Sequence, residues 1–227
     1  MSTTSTSETN SEYVTFCTLR TTDPETGREL AETAAREVRD SISDSEGFRS
    51  ALVHISTDDT TVVILTGWSG AADHRRIILE SPEAEKLRTL ADRPGVVSAE
   101  SFSGVPAPGI HGPDSDKEPG IVVLATRQVG GHDNANALAD LLVRSGEWKR
   151  HFPGFVGATP YISVDGETYI NYPGWVDDEA CDAYLADPRN AAGQPDIAAL
   201  EVSEPKFLWC TVFRRISGRK KGDREPA

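Results

Sequence analysis

Three cysteines in 227 residues, Cys17, Cys181 and Cys210, are an odd number without a C-x-x-C spacing. That excludes a disulfide framework and points to a reduced, cytoplasmic protein. No apolar run approaches the roughly 20 residues that a membrane-spanning helix needs. Basic side chains are outnumbered, 23 Lys and Arg against 36 Asp and Glu, for a formal net charge of −13. Such a surface repels phosphate backbones and anionic lipid, so neither nucleic acid nor membrane is an expected partner. The opening MSTTSTSETNSE has no basic segment and no apolar core, and is not read as a secretory signal. H-x-x-x-H, a G-x-G-x-x-G after a strand, a P-loop and G-x-S-x-G are all missing. The chain is read as lacking a metal-ligand spacing, so no metal site is expected.

What the chain does contain is a repeat. Gly47 to Trp68 reads GFRSALVHISTDDTTVVILTGW, and Gly154 to Trp175 reads GFVGATPYISVDGETYINYPGW. Phe48 and Phe155, Ile55 and Ile162, Asp58 and Asp165, Trp68 and Trp175 are each 107 positions apart, without a gap. Each copy has β-branched and aromatic residues on both sides of a polar turn, the pattern of a hairpin. Asp165-Gly166 predicts a two-residue type I′ connection.

The same order of elements surrounds each hairpin. Ahead of the first lie a strand from Tyr13 to Leu19, a turn at Asp23-Pro24 and Gly27, and a helix from about Arg28 to Ser43. Its Leu30, Ala34, Val38 and Ile42 form one stripe. After Trp68, Ser69 reads as the N-cap of a second helix that breaks at Ser81-Pro82, and a strand VVSAESF follows. In the second copy a strand Ile121 to Thr126 and a helix Asn134 to Lys149 precede the hairpin. Asp177 caps a helix carrying Cys181 and Tyr184, a looser segment reaches Leu200, and KFLWCTVF is the last strand. The expected organisation is a disordered tail (1–11), a ferredoxin-like repeat (12–105), a Pro/Gly/Asp-rich linker (106–119), a second repeat (120–216) and a charged tail (217–227). Two β-α-β-β-α-β units make the fold class α+β. An isolated half would leave one sheet face wet, which favours a pseudo-dimer within one chain and leaves a homodimer open as a further assembly.

The run FPGFVGATPYISVDGETYINYPGW, followed by an Ala-rich helix and ADPR, resembles the antibiotic-biosynthesis monooxygenase family. The likeness spans nearly everything between Tyr13 and Ile216 and is closer in the second half. It implies a dimeric α+β barrel of ferredoxin-like units, here fused in tandem. It also implies an oxygenase of aromatic polyketides, forming a quinone or, as in tandem members, opening a ring. The family's Asn and Trp that hold substrate fall on Asn171 and Trp175. The Tyr that family members often carry six residues after the Trp is replaced by Cys181, with Tyr184 one turn further on. In the first half the Asn position is Ile64 and the Tyr position is His74.

Asn171 can donate to a phenolate or quinone-type oxygen, and Trp175 offers an indole N–H and a flat face. As structural residues they would be a satisfied strand amide and a packing indole, and their residue types alone do not decide between the two roles. His74 and Tyr184 are the candidates for proton transfer, and Tyr172, Tyr161, Trp68 and Cys181 are the further candidate substrate contacts. With no metal or nucleotide motif, the substrate itself supplies electrons to dioxygen. No cofactor is then required, and reduced flavin as a diffusible cosubstrate is the alternative. The competing readings are a cofactor-free polyketide cyclase and a non-catalytic protein that binds the aromatic product.

Overall fold

The two hairpin turns are built alike, and they show why the repeat survives where it does. In a computed structural model, which describes residues 12–218, strand β2 (Phe48–Ser56) pairs antiparallel with β3 (Thr61–Trp68), and β7 (Phe155–Ser163) with β8 (Thr168–Trp175). Ser56 donates its hydroxyl to Asp58 and accepts from the Thr61 amide; Ser163, Asp165 and Thr168 repeat both bonds. The connection is not the expected two-residue turn. The Gly166 amide closes onto the Ser163 carbonyl, and Gly166 alone takes a positive φ, of 76°. Asp165 accepts the Glu167 amide instead and keeps a negative φ, so a four-residue loop with one left-handed position replaces the type I′ pair. In the first copy Asp59 takes that left-handed position, with φ 58°.

Helix α1 (Pro24–Ser41) begins four residues before the expected start. Asp23-Pro24 is its N-cap and first residue rather than a turn: the Asp23 carboxylate accepts the Thr26 amide, and proline needs no partner at the first helical position. Gly27 sits inside the helix because a Cβ there would lie 1.8 Å from the Asp59 carbonyl oxygen. Gly70, not Ser69, is the N-cap of α2 (Ala71–His74), since the Ser69 hydroxyl is bonded to Asp73. A π-helical stretch Arg75–Glu80 follows, then the short α3 (Glu85–Arg88). Helix α4 (His132–Ser145) stops four residues short of Lys149; Gly146 breaks it into a 3-10 turn, Glu147–His151. Asp177 does cap α5 (Asp178–Leu185), accepting the Ala180 amide. The segment expected to be loose carries α6 (Pro188–Ala192) and α7 (Gln194–Ala198).

The remaining strands are β1 (Tyr13–Thr21), β4 (Val96–Pro106), β5 (Ile110–His111), β6 (Ile121–Gln128) and β9 (Lys206–Ser217). Contacts divide the described chain into Gly104–Thr211 in one unit and residues 12–103 with 212–218 in the other. The division falls inside β4 and β9, so each of these strands supplies residues to both units. In the first unit the strand order is β4-β1-β3-β2-β9; in the second it is β9-β6-β8-β7-β5, with the end of β4 on β7. Both units therefore carry the β-α-β-β-α-β order, and the fold is α+β with two ferredoxin-like repeats in tandem. The terminal tail 1–11 and residues 219–227 lie outside the described residues.

The two cores differ. The first unit packs one cluster in which Leu19, Ile42, Ile64 and Trp68 join α1 residues such as Val38. The second unit's buried residues fall into separate clusters, one around Leu138, Tyr169 and Ile197 and another around Val123, Phe155, Trp175 and Cys181.

His54 on β2 is wholly buried, its Nδ1 donating to the Val63 carbonyl at 3.3 Å. Burial, ahead of the positive charge of Arg215, lowers its pKa to about 4. The unfolded chain takes up this proton below pH ~6.5 and the folded chain does not, so stability falls as pH drops from about 6.5 toward 4. The expected loss is roughly 3 kcal/mol. Denaturant titrations at pH 7 and pH 4 of the protein and of His54→Gln measure it; equal pH dependence in the two would rule this contribution out.

Candidate active site

A cavity of about 390 Å³ opens in the second unit where its two clusters part. Strand alternation builds its floor: Val123, Ala125 and Arg127 come from one face of β6, and Asn171, Pro173 and Trp175 from one face of β8. Ala125 lies directly between Asn171 and Phe207, and its small side chain leaves the space that they border. The opposite wall comes from α4, the 3-10 turn that follows it, α5 and the α6–α7 segment.

Aromatic rings stack along this wall. Tyr184 lies on Trp175, centroids 4.6 Å apart and planes at 30°, and on Trp148 at 5.5 Å and 22°. Phe152 meets Trp148, Trp175 and Tyr184 edge-on. The Tyr184 hydroxyl donates to Asn190 Oδ1 at 2.8 Å. Burial, the largest cause, pushes its pKa up to about 12, so it stays a neutral donor near pH 7. Burial and the neighbouring Asp182 and Asp178 raise the Cys181 thiol to about 11, which denies it thiolate chemistry. Lys149 differs from both. Its Nζ lies 4.9 Å from the Tyr184 ring centre, and burial first, then Arg127, lowers its pKa to about 8. It is charged at pH 7.

The structure thus brings Asn171, Trp175, Tyr184 and Cys181 to one cavity. It does not bring the other candidates there. Tyr172 and Tyr161 pair edge-on with each other, centroids 6.3 Å apart, and Tyr172 alternates to the opposite face of β8 from Asn171. Trp68 and His74 belong to the first unit, where His74 packs 5.5 Å from Tyr13 and 5.6 Å from Trp68. Burial lowers the His74 pKa.

Sequence reading missed Arg127, Lys149 and Trp148, and the repeat held the signal for two of them. The Lys149 carbonyl accepts from Phe152 as Ile42 accepts from Ser45, which equates Lys149 with Ile42. Arg127 pairs with Tyr169 as Leu19 pairs with Val62, which equates Arg127 with Leu19. Asn171 likewise corresponds to Ile64 and Tyr184 to Ile77. All four first-half residues are aliphatic and belong to or pack on one core cluster. Their second-half counterparts are polar and line a cavity. The tryptophans also diverge. The Trp68 indole donates to Thr66 Oγ1 at 2.8 Å, whereas the position equivalent to Thr66 is Pro173, which has no side-chain acceptor.

Among the described residues no cluster of His, Cys, Asp and Glu converges as a metal site would need, and no helix is long and apolar enough to cross a membrane. No family model matches the chain. Tetracenomycin-F1 monooxygenase of Streptomyces glaucescens is 44% identical over 64 residues, 28% of this chain and 54% of that protein. The match thus covers about half the length of that curated relative. Among solved structures, an anthrone oxidase-like protein aligns with TM-score 0.74 and 21% identity, over 93% of this chain and 96% of its own. A ferredoxin-fold protein from Listeria monocytogenes, related to antibiotic biosynthesis monooxygenases, aligns with TM-score 0.53 and 9% identity over 90% of this chain and 96% of its own. At these identities the two structures speak for the fold, and the sequence match speaks for descent. Together they show that the chain has the fold of proteins related to antibiotic biosynthesis monooxygenases and shares a 64-residue stretch of sequence with one such monooxygenase.

Proposed function

We propose that this chain is an oxygenase that uses dioxygen on an aromatic polyketide held in the second-half cavity. The reaction is either quinone-forming hydroxylation or oxidative ring opening. The observation that carries the reading is the polar-for-aliphatic exchange described above: Arg127, Lys149, Asn171 and Tyr184 line a cavity beside Trp175 where their first-half counterparts join or pack on a core cluster. A 390 Å³ space walled by Trp148, Trp175 and Tyr184 suits a flat polycyclic ring system. The 44% match to a protein named for oxidising tetracenomycin F1 supports the substrate class.

The chemistry asks little of the protein beyond holding and polarising. An electron-rich phenol loses its proton and passes one electron to dioxygen, and the two radicals combine at a ring carbon. The hydroperoxide formed there loses water to leave a carbonyl, so one dioxygen yields one quinone and one water. Asn171 is the donor that steadies the phenolate oxygen, and the Trp175 indole N–H is the second. Tyr184 is the neutral hydroxyl available for proton transfer as the O–O bond breaks. His74, in the other unit, takes no part in this scheme. The aromatic wall limits the water around the radical pair. Reduced flavin remains the alternative source of electrons.

An oxygen electrode tests the proposal, run with chelator and an electron-rich polycyclic phenol, with and without reduced flavin. Uptake matched by oxygenated product without flavin is the expected result. Uptake only with flavin keeps the oxygenase and changes the oxidant. Product formed under strict anaerobiosis would replace the oxygenase by a cyclase, and tight binding without turnover by a binding protein.

A further inference from the structure

A guanidinium is an expensive group to bury, and Arg127 is buried at a strand position that the first half fills with Leu19. Its Nη1 pairs with the carboxylate of Glu201, and its carbon lies 5.6 Å from the Phe207 ring centre. Its Nε–H has nothing to donate to. Among the described residues it is the one buried side-chain nitrogen or oxygen without a hydrogen-bond partner. A buried orphan donor on a cation marks a place where a partner is missing. Lys149 stands in the same cavity, and its ammonium forms no ion pair among the described residues, resting only against the Tyr184 ring. Glu201 balances Arg127 and Asp187 balances Arg189, so Lys149 leaves the lining with a net positive charge inside a chain whose formal charge is −13.

We propose that the second-half cavity selects an anionic aromatic, seating a carboxylate or an ionised phenol oxygen between the Arg127 Nε–H and the Lys149 ammonium. This rests on the reading of the cavity as an aromatic-substrate site and adds a specificity element to it. Arg127 supplies a directed donor held by Glu201, Lys149 supplies the uncompensated charge, and the stacked wall takes the rings. The anion satisfies the orphan N–H, and a neutral ligand of the same shape leaves it unsatisfied.

Three probes of similar shape test this on the full chain at pH 7, with binding read by quenching of tryptophan fluorescence. They are anthraquinone-2-carboxylate, its neutral carboxamide, and alizarin with its hydroxyl ionised. The carboxylate is expected to bind at least about tenfold tighter than the amide, the size of one charge-assisted hydrogen bond. In Lys149→Met that advantage is expected to shrink to about twofold or less. A double variant, Arg127→Leu with Glu201→Leu, removes the buried pair without stranding either charge and is expected to abolish the advantage too. Tight binding of alizarin without a carboxylate advantage would identify the anion as a phenolate. Equal affinity for all three probes overturns the anion site and leaves the oxygenase reading standing. No binding of any probe overturns both.

Discussion

Asn171→Leu is expected to lower turnover about 100-fold, the loss of roughly 2–4 kcal/mol that follows removal of one oxyanion donor. The side chains are of similar size, and the first half already carries an aliphatic residue, Ile64, at this place in its sheet. Folding should therefore tolerate the change, with the melting temperature moving by no more than about 3 °C. The discriminating quantity is the ratio of the two effects. A large fall in kcat with an unchanged melting temperature identifies the amide as a transition-state donor. If activity falls only as far as the folded fraction does, Asn171 is a packing residue and the chemical scheme fails at its first step.

The largest expected effect on stability is at Glu201. Its side chain is 8% exposed and that of Arg127 is 7% exposed, so the pair is shielded from water and salt. Glu201→Gln leaves the guanidinium charged, buried and unbalanced, at a cost of about 3–5 kcal/mol. In a chain of this size that lowers the melting temperature by about 10 °C. Removing both partners by Arg127→Leu with Glu201→Leu should recover most of the loss, because an apolar pair of similar volume avoids both desolvation penalties. Thermal unfolding of the three proteins at equal concentration measures this. A single variant as stable as the parent would mean that water reaches the pair.

The repeat made much of the fold readable, because hairpin turns advertise themselves locally: Ser56 with Asp58, and Ser163 with Asp165, fall in the sequence two residues apart and in space within one hydrogen bond. Helix ends were less legible. Asp23-Pro24 has the residue types of a turn as well as of a cap, and the geometry that separates them is a single bond from the Thr26 amide. Asn171 and Trp175, picked out by the resemblance, do line the cavity. The site was illegible where a residue acts through a distant partner. Arg127 meets Glu201 across 74 positions, and nothing local to the strand ATRQ announces that pairing. Lys149 was absorbed into a helix that Gly146 ends, so its turn toward the cavity was hidden by the same misreading.

The filled and open halves also govern how the two copies can drift. At Ile42 and Ile64 the constraint is volume, and any aliphatic side chain of comparable size satisfies it. At Lys149 and Asn171, which line the cavity, the proposed roles make the identity of the donor the constraint. On the proposed function, one copy serves as scaffold and the other as reagent. The first copy is free to vary within its residue class, and the second is held to particular atoms. On the proposed reading of the cavity, each polypeptide offers one equivalent of site rather than two, and saturation is expected to follow a simple hyperbola.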